Sequence, residues 1–164
     1  MKVGQFPWGN HSPATYRGRV AYIKNLRMKG KVSVFASGKL ISVGTRSEEE
    51  AKRNIATACQ LLDEVGLIES KKLRVKIQNI VILAQLGTEL DLEIIAKKLS
   101  HIIYEPEQFP GAILRTDKYP TVTSIVFSSG KLVIAGAKSA ASAKVIARYI
   151  IQLLKENLSA ILDA

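Results

Sequence analysis

Apolar positions along the chain alternate between two periods. Lys31–Ala36 and Thr121–Ser128 are rich in β-branched residues, and each is followed by Ser-Gly (Ser37-Gly38, Ser129-Gly130), which predicts a strand ending in a tight turn. A second apolar run follows each turn, Leu40-Ile41-Ser42-Val43 and Leu132-Val133-Ile134-Ala135. The pattern then turns helical. Ser47 with Glu50 three residues on has capping-box spacing, and Glu48 and Glu49 suit the positive end of a helix. Ala51, Ile55, Ala58, Cys59, Leu62 and Val65 recur at helical period, as do Val145, Ile146, Tyr149, Ile150, Leu153 and Leu154 after Ser139. Upstream of the second set, Leu73–Gln85 predicts a long strand and Asp91–Leu99 a short helix with Thr88 near its cap. Tyr104–Gly111 then reads as a turn into a further strand that ends at Arg115.

The two sets are copies of one unit. Ser33–Leu62 aligns without a gap on Ile125–Leu154, at an offset of 92 residues, with 13 identities in 30 positions. The shared unit is strand, turn, strand, helix. The second copy also holds the upstream strand and short helix, whereas only 15 residues precede Tyr16, the start of the first copy's Tyr16–Tyr22 match. The first copy is therefore expected to lack the opening strand and helix. Pro7 and Pro13 argue against a long central strand there. The boundary falls near residue 70, giving a truncated first copy in 1–70 and a complete second copy in 71–164.

Charge changes the picture from architecture to partner. There are 24 Lys and Arg against 14 Asp and Glu, a net charge of +10 and a pI near 9.8. Residues 1–70 carry 11 basic and 6 acidic side chains and residues 71–164 carry 13 and 8, so each half is +5. A basic body of this kind attracts polyanions, double-stranded DNA or RNA first among them. The strands are apolar on both faces, and two long helices with one short one cover a single side of the sheet. The other side is left as an apolar patch with a basic rim, which suits a widened minor groove. The alternative occupant is a second copy of the chain, paired through the exposed sheet face or edge.

Other chemistry is poorly supported. His11 and His101 have no partners at metal spacing, so neither a zinc site nor a catalytic triad is expected. Ser37-Gly38-Lys39 lacks the upstream glycine of a phosphate loop, and its recurrence as Ser129-Gly130-Lys131 marks a hairpin turn. Neither an enzyme nor a cofactor is expected. Cys59 lies on an apolar helix stripe and reads as core filling; a lone cysteine fits a reducing, intracellular setting. No run of 18 apolar residues and no signal-peptide hydrophobic region occurs, so no membrane is expected among the partners.

Ile77-Gln78-Asn79-Ile80-Val81, Tyr104-Glu105-Pro106-Glu107-Gln108-Phe109-Pro110-Gly111, Val126-Phe127-Ser128-Ser129-Gly130-Lys131 and Gly136-Ala137-Lys138-Ser139 resemble motifs of the TATA-box-binding protein family. Residues 71–158 resemble a complete repeat of an archaeal-type member, and about Tyr16 to Leu67 a shortened one. The resemblance implies an α+β fold: a tandem repeat with a curved antiparallel sheet, the saddle, and helices on its convex face. It implies AT-rich duplex DNA in the minor groove and Phe109 and Phe127 as wedges. Asn79 is implied as the hydrogen-bonding asparagine, Val81 and Val133 as groove contacts, and Arg115, Lys131 and Lys138 as phosphate contacts. In the first repeat Phe35, Ile41, Lys39 and Arg46 hold matching places, and Tyr16 replaces the first wedge, with Arg17 in place of proline. Ala135 stands where the family has a groove-contacting threonine. Glu105 and Glu107 fall where the family meets transcription factor B, a homologue of which is the second implied partner. The implied location is the cytoplasm or nucleoid of an archaeon, or a eukaryotic nucleus. The competing role is a protein-interaction module or regulator that keeps the fold without specific promoter binding.

Overall fold

The computed structural model describes residues 2–12, 14, 19–69 and 73–162. The chain divides into two compact units, Met1–Lys76 and Ile77–Ala164.

Unit 1 opens with a 3₁₀ turn, Lys2–Gln5, and a two-residue strand β1, Gly9–Asn10. β2 (Val20–Ile23), β3 (Lys31–Phe35) and β4 (Leu40–Val43) complete an antiparallel sheet in the order β1-β2-β3-β4. The β3–β4 hairpin closes at Gly38, whose φ of +83° is in the left-handed region. Helix α1 (Glu48–Glu64) buries Ile55, Ala58 and Leu62 against Ala21, Ile23, Val32 and Val34. Its start follows the sequence. Ser47 Oγ accepts from the Glu50 N–H at 3.1 Å, while the Glu50 carboxylate accepts from the Arg46 N–H at 2.9 Å, one residue before the usual capping-box donor. Cys59 packs against this core, and burial raises its thiol pKa.

Unit 2 holds five antiparallel strands in the order β5-β9-β8-β7-β6: β5 (Ile80–Gln85), β6 (Ile102–Ile103), β7 (Gly111–Leu114), β8 (Thr123–Phe127) and β9 (Lys131–Ala137). Helix α2 (Leu92–Lys98) and helix α3 (Ala140–Leu162) pack on one face. Their Leu92, Ile95, Ile146, Ile150 and Leu154 meet Ala112, Leu114, Val126, Leu132 and Ile134 of the strands. Ser139 and Ser142 cap α3 reciprocally: each backbone N–H donates to the other's hydroxyl at 3.1 Å.

Two expectations need correction. The ladder of the predicted Leu73–Gln85 strand begins only at Ile80; Leu73–Asn79 carries strand-like alternation but pairs with no strand among the described residues. Asp91, not Thr88, caps α2, its Oδ1 accepting from the Glu93 and Ile94 N–H groups at 3.0 Å each. Among the described residues the first copy has no counterpart of β5 or of the α-helix α2; a 3₁₀ turn, Lys2–Gln5, and the short β1 precede β2 instead.

Candidate nucleic-acid interface

Strand alternation divides unit 2 into a helix-covered face and an open one. Cross-strand pairing aligns Leu83, Val133, Ile125, Ile113 and Ile103 in one row across all five strands of the open face. Beside it runs the shorter row Val81, Ala135, Thr123. Val81 is 54% exposed, Leu83 67% and Ile103 57%, an uncovered row of apolar side chains of the kind that marks binding surfaces. Motif matching found Val81 and Val133. It missed Leu83, Ile103, Ile113 and Ile125, which the alternation of each strand would have supplied once the register was known.

One end of this face is built around a β-bulge. Val81 pairs with Ala135 and Ile80 with Ala137, so Gly136 is an extra residue on β9. Its φ is +120°, and a Cβ there would stand 2.4 Å from the Thr121 carbonyl oxygen, so the position requires glycine. The Gly136 N–H donates to Asn79 Oδ1 at 2.7 Å. That bond fixes the amide: the oxygen is engaged, and the exposed Nδ2 hydrogens remain available as donors. Lys138 lines the same shallow depression as Asn79, and Arg115 follows β7 at this end, both exposed.

The other end holds the aromatic pair. A turn in which the Gln108 and Phe109 N–H groups both donate to the Glu105 carbonyl at 3.0 Å presents Phe109 before β7. Phe109 meets Phe127, the last residue of β8, edge to face with centroids 6.1 Å apart. Phe109 is 39% exposed. Gly111 makes the pairing possible, since a Cβ on it would lie 2.9 Å from one Phe109 ring carbon and 3.2 Å from one of Phe127. Val126, on the opposite face from Phe127, is fully buried in the core. Lys131 is exposed beside this end, and Glu105 and Glu107 are exposed in the turn.

In unit 1, Ile41 and Val43 are exposed on the open face of β4, and Phe35 is half-buried at the end of β3. Lys39 in the hairpin turn and Arg46 before α1 are exposed. Tyr16 and Arg17 lie outside the described residues. Val20 pairs with Phe35 as Gly111 pairs with Phe127, so Val20 is the register equivalent of Gly111.

Among the described residues, no three His, Cys, Asp or Glu side chains gather as a metal site, and no helix is long and apolar enough to cross a membrane. Residues 74–157 match the family model described as transcription factor TFIID (or TATA-binding protein, TBP). The TATA-box-binding protein of Archaeoglobus fulgidus is 39% identical over 136 residues, covering 82% of this chain and 73% of that protein. The TATA-box-binding protein of Pyrococcus furiosus is 34% identical over 137 residues, covering 84% and 70%. The solved structure titled Methanococcus jannaschii TBP superimposes with a TM-score of 0.79 at 34% identity, covering 94% of this chain and 87% of its own.

Proposed function

Since the chain belongs to the TATA-binding protein family, we propose that it is a transcription-initiation factor that binds AT-rich duplex DNA in the minor groove and bends it. The observation that carries this reading is the five-strand apolar row of unit 2, with an oriented asparagine at one end and an aromatic pair at the other. The minor-groove floor of A·T pairs offers acceptors only, whereas a G·C pair adds an amino donor that an apolar surface leaves unpaired. The Asn79 Nδ2 hydrogens supply donors to those acceptors. Arg115, Lys131 and Lys138, with Lys39 and Arg46 in unit 1, supply the sequence-independent attraction to phosphates. Phe109 and Phe127 enter a base step; unstacking costs roughly a few kcal/mol, recovered by contact with the bent duplex, a mechanism for which this family is itself the type case. Residues 1–70 serve as a shortened copy and 71–164 as the complete one, acting wherever the genome is held.

An end-labelled AT-rich duplex, read by energy transfer, tests this. The wild type is expected to bend it. Phe109→Ala with Phe127→Ala removes the bend, leaves salt-dependent binding and changes the melting temperature little, whereas Phe35→Ala keeps most of the bend. A wild type that never bends DNA, or a double variant that unfolds, defeats the wedge reading in favour of an interaction module. Sedimentation under the same conditions separates DNA binding from a second copy seated on the open face.

The exposed Glu105 and Glu107 support a second contact, with basic residues of a transcription factor B homologue. Reversing both to Lys then weakens the ternary complex while binary DNA affinity stays equal or rises. Unchanged ternary assembly rules the contact out.

A further inference from the structure

Unit 1 has an apolar groove lined by none of the DNA-facing residues named above. It is lined by Pro7, Trp8, Lys24, Asn25 and Leu26, around a volume of about 460 Å³. The groove is built, not frayed. The Phe6 ring lies flat on Trp8, centroids 4.9 Å apart and planes 4° apart, and the Trp8 carbonyl accepts the Lys24 N–H at 3.0 Å. Asn25 Oδ1 accepts the Arg27 N–H at 2.9 Å and shapes the loop that carries Leu26. Leu26 itself is fully exposed, at 107% of its reference area, so it contributes nothing to the core. An indole and a wholly exposed leucine lining one groove offer the kind of apolar anchor site that takes a bulky apolar side chain from a partner.

Charge selects the occupant. Residues 1–47 contain nine Lys and Arg and no Asp or Glu. Lys24 lines the groove and Arg27 is exposed beside it. A nucleic-acid base also favours positive charge and an aromatic plane, but the other apolar lining here is a leucine and a proline, with few polar edges to read a base. We propose that this groove docks an acidic segment of a partner protein that carries bulky apolar side chains. One apolar side chain sits between Trp8 and Leu26, and flanking carboxylates meet Lys24 and Arg27.

Trp8 is the only tryptophan, so the full-length protein carries its own reporter. The probe is a synthetic peptide alternating Asp with Leu and Phe. Titration is expected to shift Trp8 emission saturably below about 1 mM, the range of weak specific contacts. Leu26→Ser is expected to weaken the peptide about tenfold or more, the loss of one anchor, without moving the unfolding midpoint or DNA affinity. Lys24→Glu weakens it further, most at low salt. Three results each overturn the proposal: no saturable shift, an equal response to a peptide with Ser in place of Leu and Phe, or an equal response to a single-stranded oligonucleotide.

Discussion

Where unit 2 runs Val133, Ile125, Ile113, Ile103 across its open face, the register-equivalent positions of unit 1 are Ile41, Ser33, Tyr22, Asn10. The wholly apolar row becomes mixed, and Lys31 Nζ lies 4.4 Å over the Tyr22 ring where unit 2 has Thr123. Leu83, the end of the row, has no unit 1 equivalent because no strand pairs with the far edge of β4 among the described residues. Val20 replaces Gly111 and is buried, and its side chain is accommodated because its diagonal neighbour is Ser33 instead of Ile125. The glycines that shape the backbone survive in both copies: Gly38 with Gly130, Gly44 with Gly136, all at positive φ. The two copies thus differ in the chemistry of the open face while sharing the hairpin that displays it.

The hairpin turns offer the largest test of that distinction. Gly38 and Gly130 have φ of +83° and +76°, yet a Cβ on Gly38 meets nothing within 4 Å, whereas one on Gly130 would stand 2.2 Å from the Thr88 carbonyl oxygen. The connection from β5 to α2 wraps the unit 2 turn, with the Leu86 N–H on the Gly130 carbonyl at 2.9 Å and Gln85 Nε2 on the Ser129 carbonyl at 2.7 Å. Gly38→Ala should cost only the left-handed strain, about 1 kcal/mol. Gly130→Ala adds displacement of that wrap and should cost roughly 3 kcal/mol, counting about 1 for each strained hydrogen bond. Urea midpoints at unchanged slope measure both. Equal losses would show that the wrap contributes no rigidity to unit 2.

A smaller difference lies in the cores. Ser124 is fully buried in β8 between Leu114 and Ile134, and its hydroxyl has no hydrogen-bond partner among the described residues; the equivalent residue in unit 1 is Val32. An orphaned buried hydroxyl is destabilising, so Ser124→Ala should raise stability by about 1 kcal/mol. Val32→Ser should lower it by roughly 2 kcal/mol, losing apolar burial and gaining an unpaired hydroxyl. A destabilising Ser124→Ala would mean that the hydroxyl has a partner, such as an ordered water, and the asymmetry between the cores would disappear.

The same contrasts explain what the sequence made legible. The hairpins, both long helices and the Ser47 cap follow from local signals: β-branched runs, Ser-Gly turns and a helical apolar stripe. Leu73–Asn79 has the alternation of a strand, but a ladder needs a neighbour, and alternation does not report whether one exists. Lys2–Asn10 forms a 3₁₀ turn and a two-residue strand, too short to create any period, and Pro7 disguises it further. Asp91 outcompetes Thr88 because it stands immediately before the helical stripe. Motifs single out Asn79, Val81, Phe109, Phe127 and Val133 on or beside the open face. The residues that complete that face, Leu83, Ile103, Ile113 and Ile125, are set by cross-strand register, which no motif reports.

The smallest expected difference lies at the helix starts. The first turn of α1 carries Glu48, Glu49 and Glu50, whereas α3 opens with Ala140, Ala141 and Ser142 and is capped by neutral hydroxyls. Glu49's pKa is lowered below the usual 4.5 chiefly by a hydrogen bond from its own backbone N–H, and Glu50's chiefly by the Arg46 N–H. A carboxylate whose folded pKa is depressed contributes stability that is fully present above its unfolded value. That contribution is lost as pH falls through the folded value. Acidification below about pH 4.5 should therefore loosen the first turn of α1 and leave that of α3 unaffected. Amide exchange, corrected for intrinsic rates and resolved by residue, measures the local opening of the two turns. Glu49 is exposed and Glu50, half-buried, is paired with the exposed Lys29 at 3.5 Å, so the change should be small and diminished by salt. Glu49→Gln with Glu50→Gln should abolish the pH dependence of α1 opening while leaving α3 unchanged. If α1 and α3 loosen in parallel on acidification, the effect belongs to the whole fold and the unit-specific role of these carboxylates is excluded.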